Sequence, residues 1–238
     1  MTCEVHALAA FYRSRGGETA ARLVAARLAA LWPALPGEEL LGLGWAGPYL
    51  GAWREGSRCA SLVPAHLSGA GALRPEVAGP ATLVAAEEEL PFSDESFDRV
   101  LLVHGLEGAE NARRMLREVW RVLRGEGRLM LVVPNRTGKW AHFDRTPFGH
   151  GEPYSRGQIE RLLARHLFRA ERHDAALFVP PYGLRLLGRT APALEKCGRA
   201  LCPRAAGVIL VEARKDLFGA MPAGAKARRR RVIATAAG

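Results

Sequence analysis

Four side chains stand out as groups able to move a proton or touch a substrate: His104, His142, His150 and Tyr154. His104 ends an apolar run, Phe97–Val103, where a strand would deliver it to a cleft, so it can orient or deprotonate an acceptor. The other three lie in the segment 135–155, NRTGKWAHFDRTPFGHGEPYS, which is rich in aromatics and broken by glycine and proline. A stretch of that length without a regular helix reads as a lid or acceptor-binding loop. The competing reading is a structural cover that packs Trp140, Phe143 and Phe148 on the sheet. A metal site from His142, Asp144 and His150 is chemically possible but not favoured, and Glu107 reads as a cap or charge for the following helix.

A second cluster is a glycine turn, Gly42-Leu43-Gly44-Trp45-Ala46-Gly47, after the apolar run Leu40–Leu43. Glycines there let a ligand approach the backbone closely. A dinucleotide would also require an acid about 20 residues on. That position holds Leu62-Val63-Pro64-Ala65-His66, which argues against a nicotinamide or flavin enzyme. Trp45 either stacks on a ligand or packs under the next helix.

The elements that position these groups follow from periodicity. Helices are expected at 4–15 and 18–32, with Leu23, Val24, Leu28 and Leu31 sharing a face. Strands are expected at Leu40–Leu43, Cys59–Val63, Thr82–Ala85, Phe97–Val103, Arg128–Val133, Ala175–Val179 and Val208–Ala213. Between them fall helices at Tyr49–Glu55, Asn111–Leu123, from Ser155 to about His166, and Leu184–Leu201. Gly125 and Gly127 are expected to separate the second of these helices from the next strand. Strands alternating with helices predict an α/β domain with a mostly parallel sheet covered on both faces. Residues 64–80 form a connection in which no helix can be placed.

The run Glu89-Leu90-Pro91-Phe92-Ser93-Asp94-Glu95-Ser96-Phe97-Asp98, followed by Arg121-Val122-Leu123-Arg124-Gly125-Glu126-Gly127-Arg128-Leu129, resembles class I S-adenosylmethionine-dependent methyltransferases of the type 11 kind. The motifs cover roughly residues 38–135, and the order of elements extends the likeness to 213. The resemblance implies a Rossmann-like, seven-stranded, mostly parallel sheet with helices on both faces, whose last strand is antiparallel. It implies S-adenosyl-L-methionine as cofactor, held by Gly42, Gly44 and Trp45 at its methionine end and by Ala86, Glu87 and Glu88 near adenine. His104, His142, His150 and Tyr154 would then face an unidentified methyl acceptor. The cofactor motif is degenerate. Gly42 stands where the family has an acid, Ala46 and Pro48 replace glycines, the ribose-binding acid after the second strand is missing, and Ala86 aligns with an aspartate. The alternative reading is a catalytically inactive protein of methyltransferase fold, serving in binding or assembly.

Composition sets the frame. The chain has 238 residues and a net charge of +10, with a 48% hydrophobic share that supports a real core. Three segments are expected: an N-terminal helical extension (1–36), a methyltransferase-like domain (37–217) and a flexible basic tail (218–238). The tail carries Lys226 and Arg228–Arg231; nucleic acid or an acidic partner is a possible contact there, though a solvated terminus is favoured. Arg161, Arg165, Arg169 and Arg172 recur every three or four residues and read as one solvated basic stripe. No apolar run reaches membrane-spanning length, the N-terminus lacks a basic signal-peptide region, and Cys3, Cys59, Cys197 and Cys202 form no CxxC pair. A cytoplasmic protein is therefore expected.

Overall fold

A computed structural model of the chain describes residues 5–64, 82–182, 184 and 190–216. His66, the 65–80 connection and the basic tail lie outside the described residues. Two N-terminal helices come first, α1 (Val5–Arg13) and α2 (Arg15–Leu31), split at Ser14, whose side chain caps α2 by accepting from the Gly17 N–H. Then follow β1 (Glu39–Gly44), a one-turn helix α3 (Gly47–Leu50), β2 (Arg58–Pro64), β3 (Thr82–Ala85) and β4 (Phe97–Val103). The second half contains α4 (Ala112–Val122), β5 (Leu123–Pro134), α5 (Arg156–Arg165), β6 (Phe168–Ala176), α6 (Ala191–Leu201) and β7 (Val208–Lys215).

The seven strands form one sheet in the order β3-β2-β1-β4-β5-β7-β6. Pairing is parallel from β3 through to β5, while β7 runs antiparallel to both β5 and β6. This is the mostly parallel, doubly covered sheet expected. Strand side chains alternate between two apolar layers. Val100, Leu102, Leu129 and Leu131 face Met115, Leu116 and Val119 of α4. Leu101, Val103, Met130 and Val132 face the layer that contains Leu8, Leu23 and Leu28 of the N-terminal helices. Helices α1 and α2 thus complete the covering of one sheet face.

Four local expectations are corrected. The helix expected at Tyr49–Glu55 is a single turn, because Pro48 starts it and Gly51 ends it. Gly125 and Gly127 do not separate helix from strand: β5 begins at Leu123, directly after α4, and Gly127 is pressed on the Arg124 carbonyl, which its missing Cβ would meet at 2.8 Å. The strand expected at Ala175–Val179 lies earlier, at Phe168–Ala176. Its outward residues are charged because it is an edge strand, so hydropathy hid it. Consequently Arg161 and Arg165 sit on α5 but Arg169 and Arg172 on β6, and the single stripe does not exist.

Glu212 of β7 is fully buried and joins the N-terminal helices to the sheet. It accepts from Arg172, from Trp32 Nε1 at 3.1 Å and from Arg128 at 3.1 Å. Burial pushes its carboxyl up, but the Arg172 and Trp32 hydrogen bonds and the charges of Arg172 and Arg128 outweigh it and hold the group below the ordinary carboxylate range.

Candidate active site

In an open parallel sheet the crevice for ligands lies beyond the carboxyl ends of the strands, where the strand order reverses. Here β1 is flanked by β2 and β4, and the β1 turn opens on a cavity of about 550 Å³. That is within the ordinary range for a ligand site. The floor is Gly44, Trp45, Gly47 and Pro48, with Ser61 and Val63 from the end of β2; α1 and α2 roof it with Tyr12, Arg13, Glu18 and Arg22, and Arg54 closes one side.

Gly44 is required by geometry. Its φ is +81°, and a Cβ would lie 2.1 Å from the Val103 carbonyl oxygen. The next residue fixes the turn, since the Trp45 N–H donates to that same carbonyl at 2.7 Å. The Trp45 indole is buried and its Nε1–H has no hydrogen-bond partner. An orphaned buried donor costs about 1–3 kcal/mol. Gly42 has a different role. It is absent from the lining, and its missing Cβ would meet Leu50 Cδ1 at 2.8 Å and Ala46 Cβ at 3.0 Å, so it seats α3 against β1.

Ala86, Glu87 and Glu88 follow β3 and are not part of the cavity wall. Ala86 is exposed; Glu87 is buried and accepts from the Glu110 N–H at 3.1 Å.

Behind the roof lies a buried polar chain. The Tyr12 hydroxyl is 2.8 Å from the Tyr49 hydroxyl and 2.8 Å from His104 Nε2, and His104 Nδ1 is 3.0 Å from Glu107 Oε1. All four side chains are buried. Burial drives the Tyr49 phenol far above its ordinary range, partly offset by its Tyr12 bond. His104 sits at the end of β4 with φ of +52°, a conformation unusual for a residue with a Cβ. Glu107 is therefore a partner of His104 rather than the helix cap expected; α4 is capped instead by Asn111, which accepts from the Arg114 N–H.

The 135–155 segment is a packed cover. Trp140 and Phe148 are each 1% exposed, Trp140 Nε1 donates to the Val179 carbonyl at 2.9 Å, and the Phe148 ring lies 4.6 Å from His104. His142 points outward with Nε2 3.1 Å from the Arg136 carbonyl, and His150 is half-buried after a short 3₁₀ turn at Pro147–Gly149. Tyr154 lines a second cavity, of about 710 Å³, with Glu107, Glu152 and Arg161. Burial, then the charges of Glu107 and Glu152, push its phenol up to about 12. Of the four candidate catalytic residues, His104 alone adjoins the roof of the first cavity. No group of three or more metal-ligating side chains occurs among the described residues, and no helix there is long and apolar enough to cross a membrane.

Sequence patterns gave no hint of Tyr12, Tyr49, Glu18, Arg13, Arg22 or Arg54. Tyr12 reads as one more member of an apolar helix face, and the arginines as solvated surface.

Residues 46–131 match the family model described as a methyltransferase domain. The matched stretch takes in the motifs at 89–129, and the strand order is that of a Rossmann-like methyltransferase fold. Over 101 residues the chain is 38% identical to a demethylmenaquinone methyltransferase of Mycobacterium tuberculosis, covering 40% of this chain and 41% of that protein. It is 35% identical over 52 residues to a putative methyltransferase of Bacillus subtilis, covering 22% of this chain and 29% of the relative. The chain spans less than half the length of these curated relatives.

Among solved structures, the complex of the Haloferax volcanii Trm112 methyltransferase activator and the putative methyltransferase contains a chain similar to this one. The TM-score is 0.60 at 19% identity, covering 91% of this chain and 99% of that one. A geranyl diphosphate C-methyltransferase from Streptomyces coelicolor, solved with S-adenosyl-L-homocysteine, aligns with a TM-score of 0.55 at 18% identity, covering 80% of this chain and 76% of that one.

Proposed function

We propose that this protein transfers a methyl group from S-adenosylmethionine to an acceptor, with the cofactor seated in the cavity at the β1 turn. The observation that carries this reading is the Gly44–Trp45 turn. It brings bare backbone and the Trp45 side chain to the wall of a cavity of about 550 Å³, in the crevice where such a fold takes its ligand. The acids missing from the turn and from β2 have replacements on the roof. Glu18 offers a carboxylate to an ammonium or to ribose hydroxyls, and Arg13, Arg22 and Arg54 offer guanidinium groups to a carboxylate. Ser61 supplies a hydroxyl from β2.

When bound, the cofactor supplies a methyl group already activated as part of a sulfonium. The chain's task is therefore to align the acceptor and keep out water. Trp45 and Tyr12 line the space with aromatic surface, and α1 and α2 cover it. His104 acts on the acceptor from behind Tyr12. We assign Ala86, Glu87, Glu88, His142, His150 and Tyr154 no part in the cavity, and Gly42 a packing role beneath it.

Titration calorimetry with S-adenosylmethionine and with its demethylated product tests the reading. The expected result is saturable binding in the micromolar range for both, accompanied by a change in Trp45 fluorescence. Absence of heat and of any thermal shift at millimolar ligand overturns it and leaves a fold without the activity. The acceptor is proposed to reach the cavity from the Tyr12 side, and no membrane or nucleic acid is required.

A further inference from the structure

We propose that the groove between α4 and α5 is a docking surface for a single-stranded nucleic acid, which it holds by its phosphates. The groove shares no lining residue with the cavity at the β1 turn, so the two sites stand or fall separately.

The groove encloses about 480 Å³. Its walls are Arg113, Arg114, Arg117 and Trp120 of α4 and, at the end of α5, Arg165 and His166; no carboxylate lines it. Arg113 and Arg165 also border the second cavity, where Arg161 joins them, so the basic surface continues past the rim of the groove. All five arginines are exposed, and none has an ion-pair partner among the described residues. Other arginines of the same helices are paired, Arg121 with Glu118 at 2.7 Å and Arg156 with Glu160 at 3.1 Å. Acids are also at hand: Glu110, exposed just before α4, pairs with none of the five. The fold thus gathers like charges from two helices distant in sequence and leaves them uncompensated, which creates a local positive field.

Guanidinium groups bind phosphate and carboxylate alike, and three features select the phosphates of a nucleic acid. The arginines stand on exposed, long side chains around an open groove, which suits several parallel contacts to a polymer rather than capture of one small anion. A phosphodiester chain carries a charge on every backbone unit, whereas an acidic peptide must immobilise a rotamer-rich side chain for each contact. A membrane surface would need an apolar anchor beside the charge, and none of Leu83, Val84, Tyr182, Leu194 and Leu201, the large exposed apolar side chains among the described residues, lines the groove. Glu107, Glu110 and Glu152 line the second cavity and repel phosphate there, so the strand follows the α4–α5 groove and stops short of that cavity.

Fluorescence anisotropy of a labelled oligouridylate of about 12 nucleotides, titrated with the full chain, tests this. For a single strand the logarithm of the affinity falls by about 0.7 per logarithm of salt for each phosphate neutralised. Four or five arginine contacts therefore give a slope of about −2.8 to −3.5, or a loss of about 50–130-fold between 50 and 200 mM salt. The combined variant Arg113→Gln, Arg117→Gln, Arg165→Gln is expected to weaken binding about 100-fold at 0.1 M salt and to flatten the slope by about 2. The combined variant Arg15→Gln, Arg136→Gln, Arg145→Gln removes the same charge from exposed positions elsewhere and is expected to change the slope by less than about 0.5. All six substitutions are at the surface, so both variants should fold as the parent does, which thermal unfolding checks. The basic tail is the same in all three proteins, so the difference between the variants reads the groove. No binding at 50 mM salt, or equal effects of the two variants, overturns the proposal. Displacement of the oligonucleotide by polyglutamate at equal charge concentration, or by phosphatidylserine-containing vesicles, also overturns it and assigns the groove to an acidic protein or to a membrane.

Discussion

Replacing Gly44 by alanine tests how the end of β1 makes room for a ligand. At φ of +81° any residue with a Cβ carries a left-handed penalty of about 1–2 kcal/mol. The Cβ would also stand 2.1 Å from the Val103 carbonyl oxygen, so β1 and β4 must part by on the order of 1 Å where they pair at Gly44 and Val103. That movement breaks the 2.7 Å bond from the Trp45 N–H, a further ~1 kcal/mol net. The sum is about 3 kcal/mol, or a fall of about 6–12 °C in Tm for a chain of this length. Gly42→Ala is the control. Its Cβ meets the far end of Leu50 at 2.8 Å and Ala46 Cβ at 3.0 Å, with no left-handed backbone to oppose it, so the expected cost is the smaller one, about 1–2 kcal/mol. Thermal unfolding and cofactor calorimetry on both variants give the comparison. Gly44→Ala is expected to bind the cofactor at least about tenfold more weakly, and Gly42→Ala to bind nearly as well as the parent. If Gly44→Ala unfolds within about 1 kcal/mol of the parent, or if the two variants behave alike, the geometry assigned to this turn is wrong.

Trp140→Ala removes a side chain 1% exposed that bonds the Val179 carbonyl, and a loss of about 3–5 kcal/mol in urea unfolding is expected; a mobile lid would lose almost nothing. Glu212→Ala leaves Arg172 and Arg128 without their buried partner. Because both arginines keep some contact with water, about 2–3 kcal/mol is expected, at the low end for a broken buried pair, and Glu212→Gln should recover part of it. Glu212 and Glu118 are both held below the ordinary carboxylate range, Glu118 mainly by its hydrogen bonds from Arg121. Their contribution is present above the unfolded values near pH 4 and is lost as pH falls through the lowered folded values, so urea midpoints should drop steadily from about pH 5 to pH 3. Glu195 works in the other direction. Burial raises its carboxyl despite bonds from the Leu177, Phe178 and Val179 N–H groups, so its contribution is present below the unfolded value and declines as pH rises through the folded one. Glu195→Gln should therefore widen the margin by which the midpoint at pH 6 exceeds that at pH 4, and an unchanged margin counts against that assignment.

Period, breakers and motif order were enough to place β3 and β4 to the residue and β1, β2, β7, α4 and α5 to within a residue or two. Apolar runs and amphipathic stripes are written locally, because each strand or helix face must be buried whatever its neighbours are. The same locality explains what was hidden. Strand β6 is an edge whose charged residues meet water, so its hydropathy does not mark it. Whether the aromatics at 135–155 form a lid or a cover depends on what they touch, and only packing against α1 and the sheet made them a cover. The missing acids of the cofactor motif left the site's chemistry open. Their candidate replacement, Glu18, reaches the β1 turn together with Arg13 and Arg22 because two N-terminal helices fold back over the sheet. Tyr12 meets His104 across 92 positions of chain for the same reason. Local pattern carries burial; a site assembled from distant segments exists only once the long-range contacts have been made.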